Sequence, residues 1–309
     1  MTPGVVVDAH SHLFPSHWAS HGRMPLDLFG AEALLEVQSA AGVTRTVISD
    51  PHIWYGDLDP SAIERTREYN DFAAELVRAQ PLRVTALATA TPWRGDEHVR
   101  EAERGVRELG LAGIAIPTSD GGRYLDSVPD SFWELVADLD VPVFIHPGGT
   151  VVGNELMQMY RLGEVCGRPL DTTLTLARFI LTGTPERHPR VRLLCAHAGG
   201  AICTIADRLD FGHELRDYAP LGPWGEVALP VPPSAYVARL YLDTVTYGTA
   251  ALLPALSRVG HERVVYGSDR PPVPFDLERT LGYVRELGLP PEEEGAILGD
   301  NARRLFRIG

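Results

Sequence analysis

Cysteine is scarce in this sequence and basic charge is short. Three cysteines among 309 residues (Cys166, Cys195, Cys203), none in a CxxC spacing, exclude a disulfide framework and a cysteine-built zinc knot. Free, mostly buried thiols in a reducing compartment are the plain expectation. Against 41 acidic residues stand 28 basic ones, a formal net charge of −13. That balance excludes a nucleic-acid or anionic-membrane surface as the business of the chain. No apolar run reaches the ~18 residues of a membrane span. The opening "MTPGVVVDAHSH" lacks the charged-then-apolar order of a targeting segment, so a cytoplasmic location is expected. No GxGxxG turn follows any strand, which weakens a nucleotide-binding sheet. Repeats, low-complexity tracts and linkers are also missing.

What is present is a regular alternation. With 44% hydrophobic residues and 22% charged, the chain can bury a large core. β-Branched runs occur at 4–11, 43–50, 82–90, 111–118, 141–148, 191–200, 240–247 and 263–270. Most are continuously apolar, as parallel strands buried on both faces are. Helical patterns lie between them, at 61–80, 96–110 and 130–139; in the first, Ile63, Tyr69, Phe72, Leu76 and Val77 make one stripe. Eight strands each followed by a helix predict an α/β fold, a single (β/α)8 TIM barrel over 1–309. A doubly wound open sheet is the alternative. Two long connections, 149–190 and 213–235, suit lids or binding loops. The first is expected to hold helices at 154–165 and 171–183.

In such a barrel, functional groups project from the C-terminal strand ends. Strand one ends "DAHSH", with His10 and His12 two apart and therefore on one face. Strand five ends at His146, strand six at His197, and strand eight at Asp269. Any one strand-end histidine has an ordinary explanation, a bond to a backbone carbonyl. Their convergence on one rim does not. These residue types bind divalent ions or move protons. Among the other histidines, His52 follows strand two on the same rim and is a candidate for substrate contact. His17, His21, His188, His213 and His261 read as structural, and His98 as lying on an exposed helix. Asp8 either orients one of the rim histidines or caps the barrel floor.

These pieces, with "YNDFAAELVRAQPLRVTALATATP", "PVFIHPGG", "AHAGG", "VVYGSDRP" and "ILGDNARRLF", resemble the amidohydrolase superfamily over nearly the whole chain. More narrowly the chain is similar to the branch of aminocarboxymuconate-semialdehyde decarboxylase and related aromatic acid decarboxylases. The resemblance implies that His10, His12, His146 and Asp269 hold one divalent metal at the C-terminal ends of the strands. Zn²⁺ suits three imidazoles and a carboxylate, with Mn²⁺ as the alternative. It implies His197 as general acid/base beside the metal and Asp269 as a second proton carrier. It also implies a homodimer. The branch's substrate-clamping arginine near the helix after strand six falls at Glu214, with Arg216 two positions on, and a tryptophan after strand five falls at Tyr160. Candidate substrate contacts are Arg270, Tyr160, Arg161, Trp54, His52 and Phe14, with Arg23 and Trp18 behind them.

The expected activity is therefore metal-dependent, non-oxidative decarboxylation of a small aromatic or unsaturated cyclic carboxylic acid. A metal-dependent hydrolase or hydratase, lactonase-like, is the alternative, because the same ligands activate water. A barrel that only binds or scaffolds is a third reading. It has no use for five intact site positions.

Overall fold

The computed structural model describes residues 4–21, 30–50, 63–225, 227–271 and 276–309, with side chains from 4–18 and from 30 onward. Eight parallel strands alternate with helices. They are β1 (Val7–His12), β2 (Arg45–Ser49), β3 (Val84–Ala86, resuming as Ala88–Thr89), β4 (Ile114–Pro117), β5 (Pro142–His146), β6 (Arg192–Cys195), β7 (Tyr241–Asp243) and β8 (Val264–Val265). The helices that follow are α1 (Ala31–Ala40), α2 (Ile63–Ala79), α3 (Asp96–Arg107), α4 (Asp130–Leu139), α5 (Arg168–Leu181), α6 (Ile202–Glu214), α7 (Leu253–Val259) and α8 (Leu277–Arg285). A last helix, α9 (Asn301–Phe306), ends the chain.

Two runs of neighbours, β1-β2-β3 and β3-β4-β5-β6-β7-β8, meet within β3. Leu87, between its two pieces, donates its N–H to Ile48 at 3.0 Å, and Ala88 turns to Gly113 at 2.9 Å. The other seam is closed by backbone bonds between β1 and the segment after β8. Ala9 N donates to Tyr266 O at 2.8 Å, Asp269 N to His10 O at 2.8 Å, and His12 N to Arg270 O at 2.9 Å. Among the described residues, each of the eight barrel strands thus has a neighbour on both sides.

Local chemistry explains the helices. α3 carries Asp96 and Glu97 in its first turn and Arg104 and Arg107 in its last, matching both ends of the helix dipole. His98 is buried on that helix, not exposed as its charged surroundings suggested. α4 ends at Asp140, whose left-handed backbone (φ 52°) turns the chain into β5. The helix expected at 154–165 does not form. Tyr160 and Arg161 adopt left-handed backbones (φ 59° and 54°), and only single turns form at Asn154–Leu156 and Gly163–Gly167 before α5 begins.

β1 carries an irregularity that sets the site. Its register against β2 shifts between Asp8 and Ser11. In an unbroken strand Asp8 shares the face of His10 and His12; a bulge changes the phase. Asp8 instead meets Gln38 of α1 (3.0 Å), the Ser11 hydroxyl (2.8 Å) and both the N–H and hydroxyl of Ser268 (3.0 and 2.5 Å). Asp8 therefore ties β1 to α1 and the β8 end and touches no imidazole ring. Among the described residues no helix is long and apolar enough to cross a membrane.

Candidate metal centre

His10, His12, His146 and Asp269 come together at the C-terminal strand ends, all buried. One ligand atom from each lies within 4.8 Å of all the others. His10 Nε2 and His12 Nε2 are 3.1 Å apart, and Asp269 Oδ1 lies 3.2 and 3.0 Å from them. Two ligands ~2.1 Å from a shared ion sit roughly 3.0–3.4 Å apart, so the spacing suits a cation between them.

The outer ring nitrogens decide what faces inward. A neutral imidazole has one N–H and one lone pair. His10 Nδ1 faces Asp243 Oδ2 at 2.6 Å, His146 Nδ1 the Pro147 carbonyl at 2.9 Å, and His12 Nδ1 the Ser49 carbonyl at 3.4 Å. Each acceptor draws the proton to Nδ1 and leaves the Nε2 lone pair aimed at the others. Inward lone pairs beside a carboxylate repel one another unless positive charge lies among them. The donor set therefore fits a divalent metal ion.

The electrostatics agree. Burial disfavours a charged ring at His10, but Asp269 and Asp243 overcome it and push its pKa up to about 10. Burial lowers His12, with His10 adding repulsion, and holds His146 well below the ordinary imidazole range. Burial opposes ionisation of Asp269, yet His10 and the ring hydrogen bonds keep it well below the usual carboxylate range. The pocket is a negative well that takes up a cation, a proton if nothing else.

His197 stands beside this group. Its Nε2 lies 3.4 Å from Asp269 Oδ2, the oxygen turned away from His10 and His12. His197 (φ 56°), Ala198 (φ 51°), Tyr247 (φ 59°) and Asp269 (φ 56°) all adopt left-handed backbones. Such strain in non-glycine residues persists where the surroundings over-determine it, and four cases gather at this one rim. Gly267 serves the same crowding, because a Cβ there would stand 2.7 Å from the Cβ of His10.

Two residues of the site escaped the sequence reading. Asp243, at the end of β7, accepts from His10 Nδ1, His197 N (3.1 Å), Ala198 N (2.9 Å) and Val245 N (3.0 Å). It orients one candidate ligand and pins the turn that carries His197. Tyr247, four positions on, donates its hydroxyl to Asp269 Oδ2 at 3.3 Å. The available signal was a lone carboxylate ending the one late strand to which no rim residue had been assigned.

The expected substrate contacts are scattered. Phe14 is buried and stacks on Trp18 with ring centres 6.4 Å apart, both within the core. Tyr160 is 85% exposed and Arg161 is exposed beside it. Arg270 is half-buried directly after Asp269. Glu214 and Arg216 are exposed at the end of α6. His52, Trp54 and Arg23 lie outside the described residues.

Residues 7–308 match the amidohydrolase family. A 2-amino-3-carboxymuconate-6-semialdehyde decarboxylase of Dictyostelium discoideum is 29% identical over 212 residues, covering 68% of this chain but only 57% of that protein. A gamma-resorcylate decarboxylase of Polaromonas sp. is 25% identical over 260 residues, 80% of this chain and 77% of its own. Among solved structures, 5-carboxyvanillate decarboxylase from Sphingomonas paucimobilis superposes with a TM-score of 0.87 at 22% identity, covering 99% of both chains. A dihydroxybenzoic acid decarboxylase from Polaromonas sp., with bound manganese and the inhibitor 2-nitroresorcinol, gives 0.83 at 21% identity over 99% and 97%. These likenesses establish the barrel fold.

Proposed function

The chain belongs to the amidohydrolase family, and from that premise we propose that it is a metal-dependent, non-oxidative decarboxylase of a small aromatic carboxylic acid. The observation that carries this reading is the group of three inward imidazole lone pairs and one carboxylate with His197 against its second oxygen. The decarboxylases among its relatives supply the reaction class.

His10, His12, His146 and Asp269 would hold the ion. When bound, a divalent metal supplies positive charge to substrate oxygen atoms next to the scissile bond. The remaining work belongs to the chain. Decarboxylation requires a proton on the ring carbon that bears the carboxylate. The C–C bond then breaks, CO₂ leaves, and the bonding pair returns to the ring. His197 and Asp269 Oδ2, 3.4 Å apart, are the groups that carry that proton. Asp243 fixes His197 in place through its backbone N–H. The low exposure of the whole group strengthens each of these interactions by keeping water out. Arg270, half-buried and directly after Asp269 in the chain, is the candidate cation for the substrate carboxylate.

Zinc is the metal proposed for this ligand set, on three imidazoles and one carboxylate. The manganese held by the Polaromonas neighbour marks the alternative. Elemental analysis of protein produced with both metals distinguishes them. A homodimer is proposed on the family resemblance; exposed apolar side chains such as Leu156, Met159, Val165, Phe211 and Leu221 are available for such an interface to cover. Light scattering giving a monomer mass overturns it. The activity itself is tested by CO₂ release across a panel of hydroxybenzoic acids. Release of CO₂ without consumption of water supports decarboxylation. Turnover of lactones with no CO₂ from any acid supports the hydrolase reading instead.

A further inference from the structure

Asp171, in the first turn of α5, is a fully buried carboxylate outside the metal group. Its helix is held firmly at the rim. A Cβ on Gly200, in the turn that follows His197, would collide with the carbonyl oxygen of Pro169, and Ala201 N donates to Thr173 Oγ1 at 2.8 Å. From that base Asp171 gathers three donors. The Thr118 hydroxyl donates to Oδ2, while Val152 N (2.9 Å) and the Tyr124 hydroxyl (3.1 Å) donate to Oδ1. Burial pushes the carboxyl up and these bonds oppose it, Thr118 foremost.

Two of the three donors lead to His146. Thr118 follows β4, and its N–H donates to the His146 carbonyl at 3.0 Å, extending the β4–β5 ladder past the Pro117–His146 pair. The carbonyl of Thr118 accepts from Thr175 Oγ1 at 2.7 Å, one turn further along α5. Val152 closes the loop that opens at Pro147, and the Pro147 carbonyl is what His146 Nδ1 meets at 2.9 Å. The other two histidines of the group lean on firmer outer partners, the Asp243 side chain for His10 and a β2 carbonyl for His12. His146 takes its partner from a loop, "PGGTV", whose paired glycines lend the backbone little stiffness of their own. Asp171 ties down both ends of that loop.

We propose that Asp171 is a positioning residue for the metal centre, fixing the main chain of His146 through Thr118 and the orientation of its ring through the loop that ends at Val152. This rests on the metal site of the function proposed above and not on the reaction performed there.

Chelator competition of Co²⁺-loaded protein, with the visible absorption of the bound ion, tests it beside melting temperature and CO₂ release. Asp171→Leu strips the shared acceptor and is expected to weaken Co²⁺ binding by about tenfold or more and to shift the absorption bands. Asp171→Asn still accepts from Val152 and is expected to return to within about threefold of the parent. Thr118→Val cuts only the hydroxyl link, for a loss of about threefold, and carries the test should Asp171→Leu fail to fold. Phe179→Leu, a core change two turns along the same helix, is expected to lower the melting temperature and leave affinity and spectrum parental. Parental affinity and spectrum in folded Asp171→Leu or in Thr118→Val overturn the proposal. So does a Phe179→Leu variant that loses cobalt as readily as Asp171→Leu, since the effect would then be one of stability alone. If the variants behave as expected but no acid yields CO₂, decarboxylation falls and the role of Asp171 stands. A parent that takes up no Co²⁺ overturns both.

Discussion

Replacing Asp243 by asparagine keeps its size and removes its charge, and the consequences can be worked out atom by atom. Asp243 Oδ1 accepts from Ala198 N (2.9 Å) and Val245 N (3.0 Å), and Oδ2 from His10 Nδ1 (2.6 Å) and His197 N (3.1 Å). An amide has one oxygen, so its NH₂ must face one of these pairs of donors. If the NH₂ faces Ala198 and Val245, two buried donors lose their acceptor, at about 1–3 kcal/mol each, or about 2–6 kcal/mol together. If the NH₂ faces His10 it donates to Nδ1, which moves the ring proton to Nε2 and removes the lone pair aimed at the ion. Loss of the outer partner of a metal-binding histidine typically costs 10–100-fold in affinity, about 1.4–2.7 kcal/mol. Asp243→Asn is therefore expected to lose metal to a competing chelator at least tenfold more readily than the parent. Its melting temperature should fall by roughly 4 °C or more. Both are read by chelator titration and calorimetry on one preparation. A variant with parental metal affinity and melting temperature refutes the reasoning, since Asp243 would then be ornamental to His10.

Other perturbations follow from the same geometry. His197→Asn is expected to lower kcat by ~10²–10⁴-fold while metal content stays at the parental level, because His197 moves a proton and ligates nothing; elemental analysis beside steady-state kinetics checks it. Gly267→Ala forces a Cβ against that of His10, with 2.7 Å available, and overpacking of this kind costs about 1–3 kcal/mol. Lower melting temperature and weaker metal binding are expected together, and a silent substitution contradicts the packing. Metal uptake near pH 8 is expected to release about one proton per ion. Without metal His10 holds a second proton up to about pH 10, whereas His12 and His146, lowered by burial, hold none. A pH-indicator titration reads this, and uptake with no proton released is inconsistent with it. The sign for the metal-free protein runs with it: a histidine pKa raised from 6.5 to about 10 lends stability below about pH 6.5 that is lost as pH rises through about 10.

The rim was legible in the sequence because its chemistry is local. A β-branched run ending in histidine or aspartate says where the side chain will stand, and His10, His12, His146, His197 and Asp269 all stand there. Asp243 was not legible because its role is a contact with a ring 233 positions away, and nothing in "LYLDTVTY" says which nitrogen it will face. Asp8 stayed open between two readings for the opposite reason. The two-residue period of a strand places it beside His10, and only the bulge shows that it turns to Gln38 and Ser268. The segment after β5 carries helix-forming residues, yet Tyr160 and Arg161 break it with left-handed backbones. His98 is hidden because Glu101 and its neighbours make α3 look wholly solvated, while its inner face packs on the barrel.

The most direct measurement is decarboxylation of 2,6-dihydroxybenzoate by metal-loaded protein in deuterated water, followed by NMR. CO₂ release with deuterium at the carbon that bore the carboxylate, abolished by chelation and restored by a divalent metal, is the predicted result. An acid that survives intact while a lactone is opened by the same preparation, at parental metal content, would contradict it.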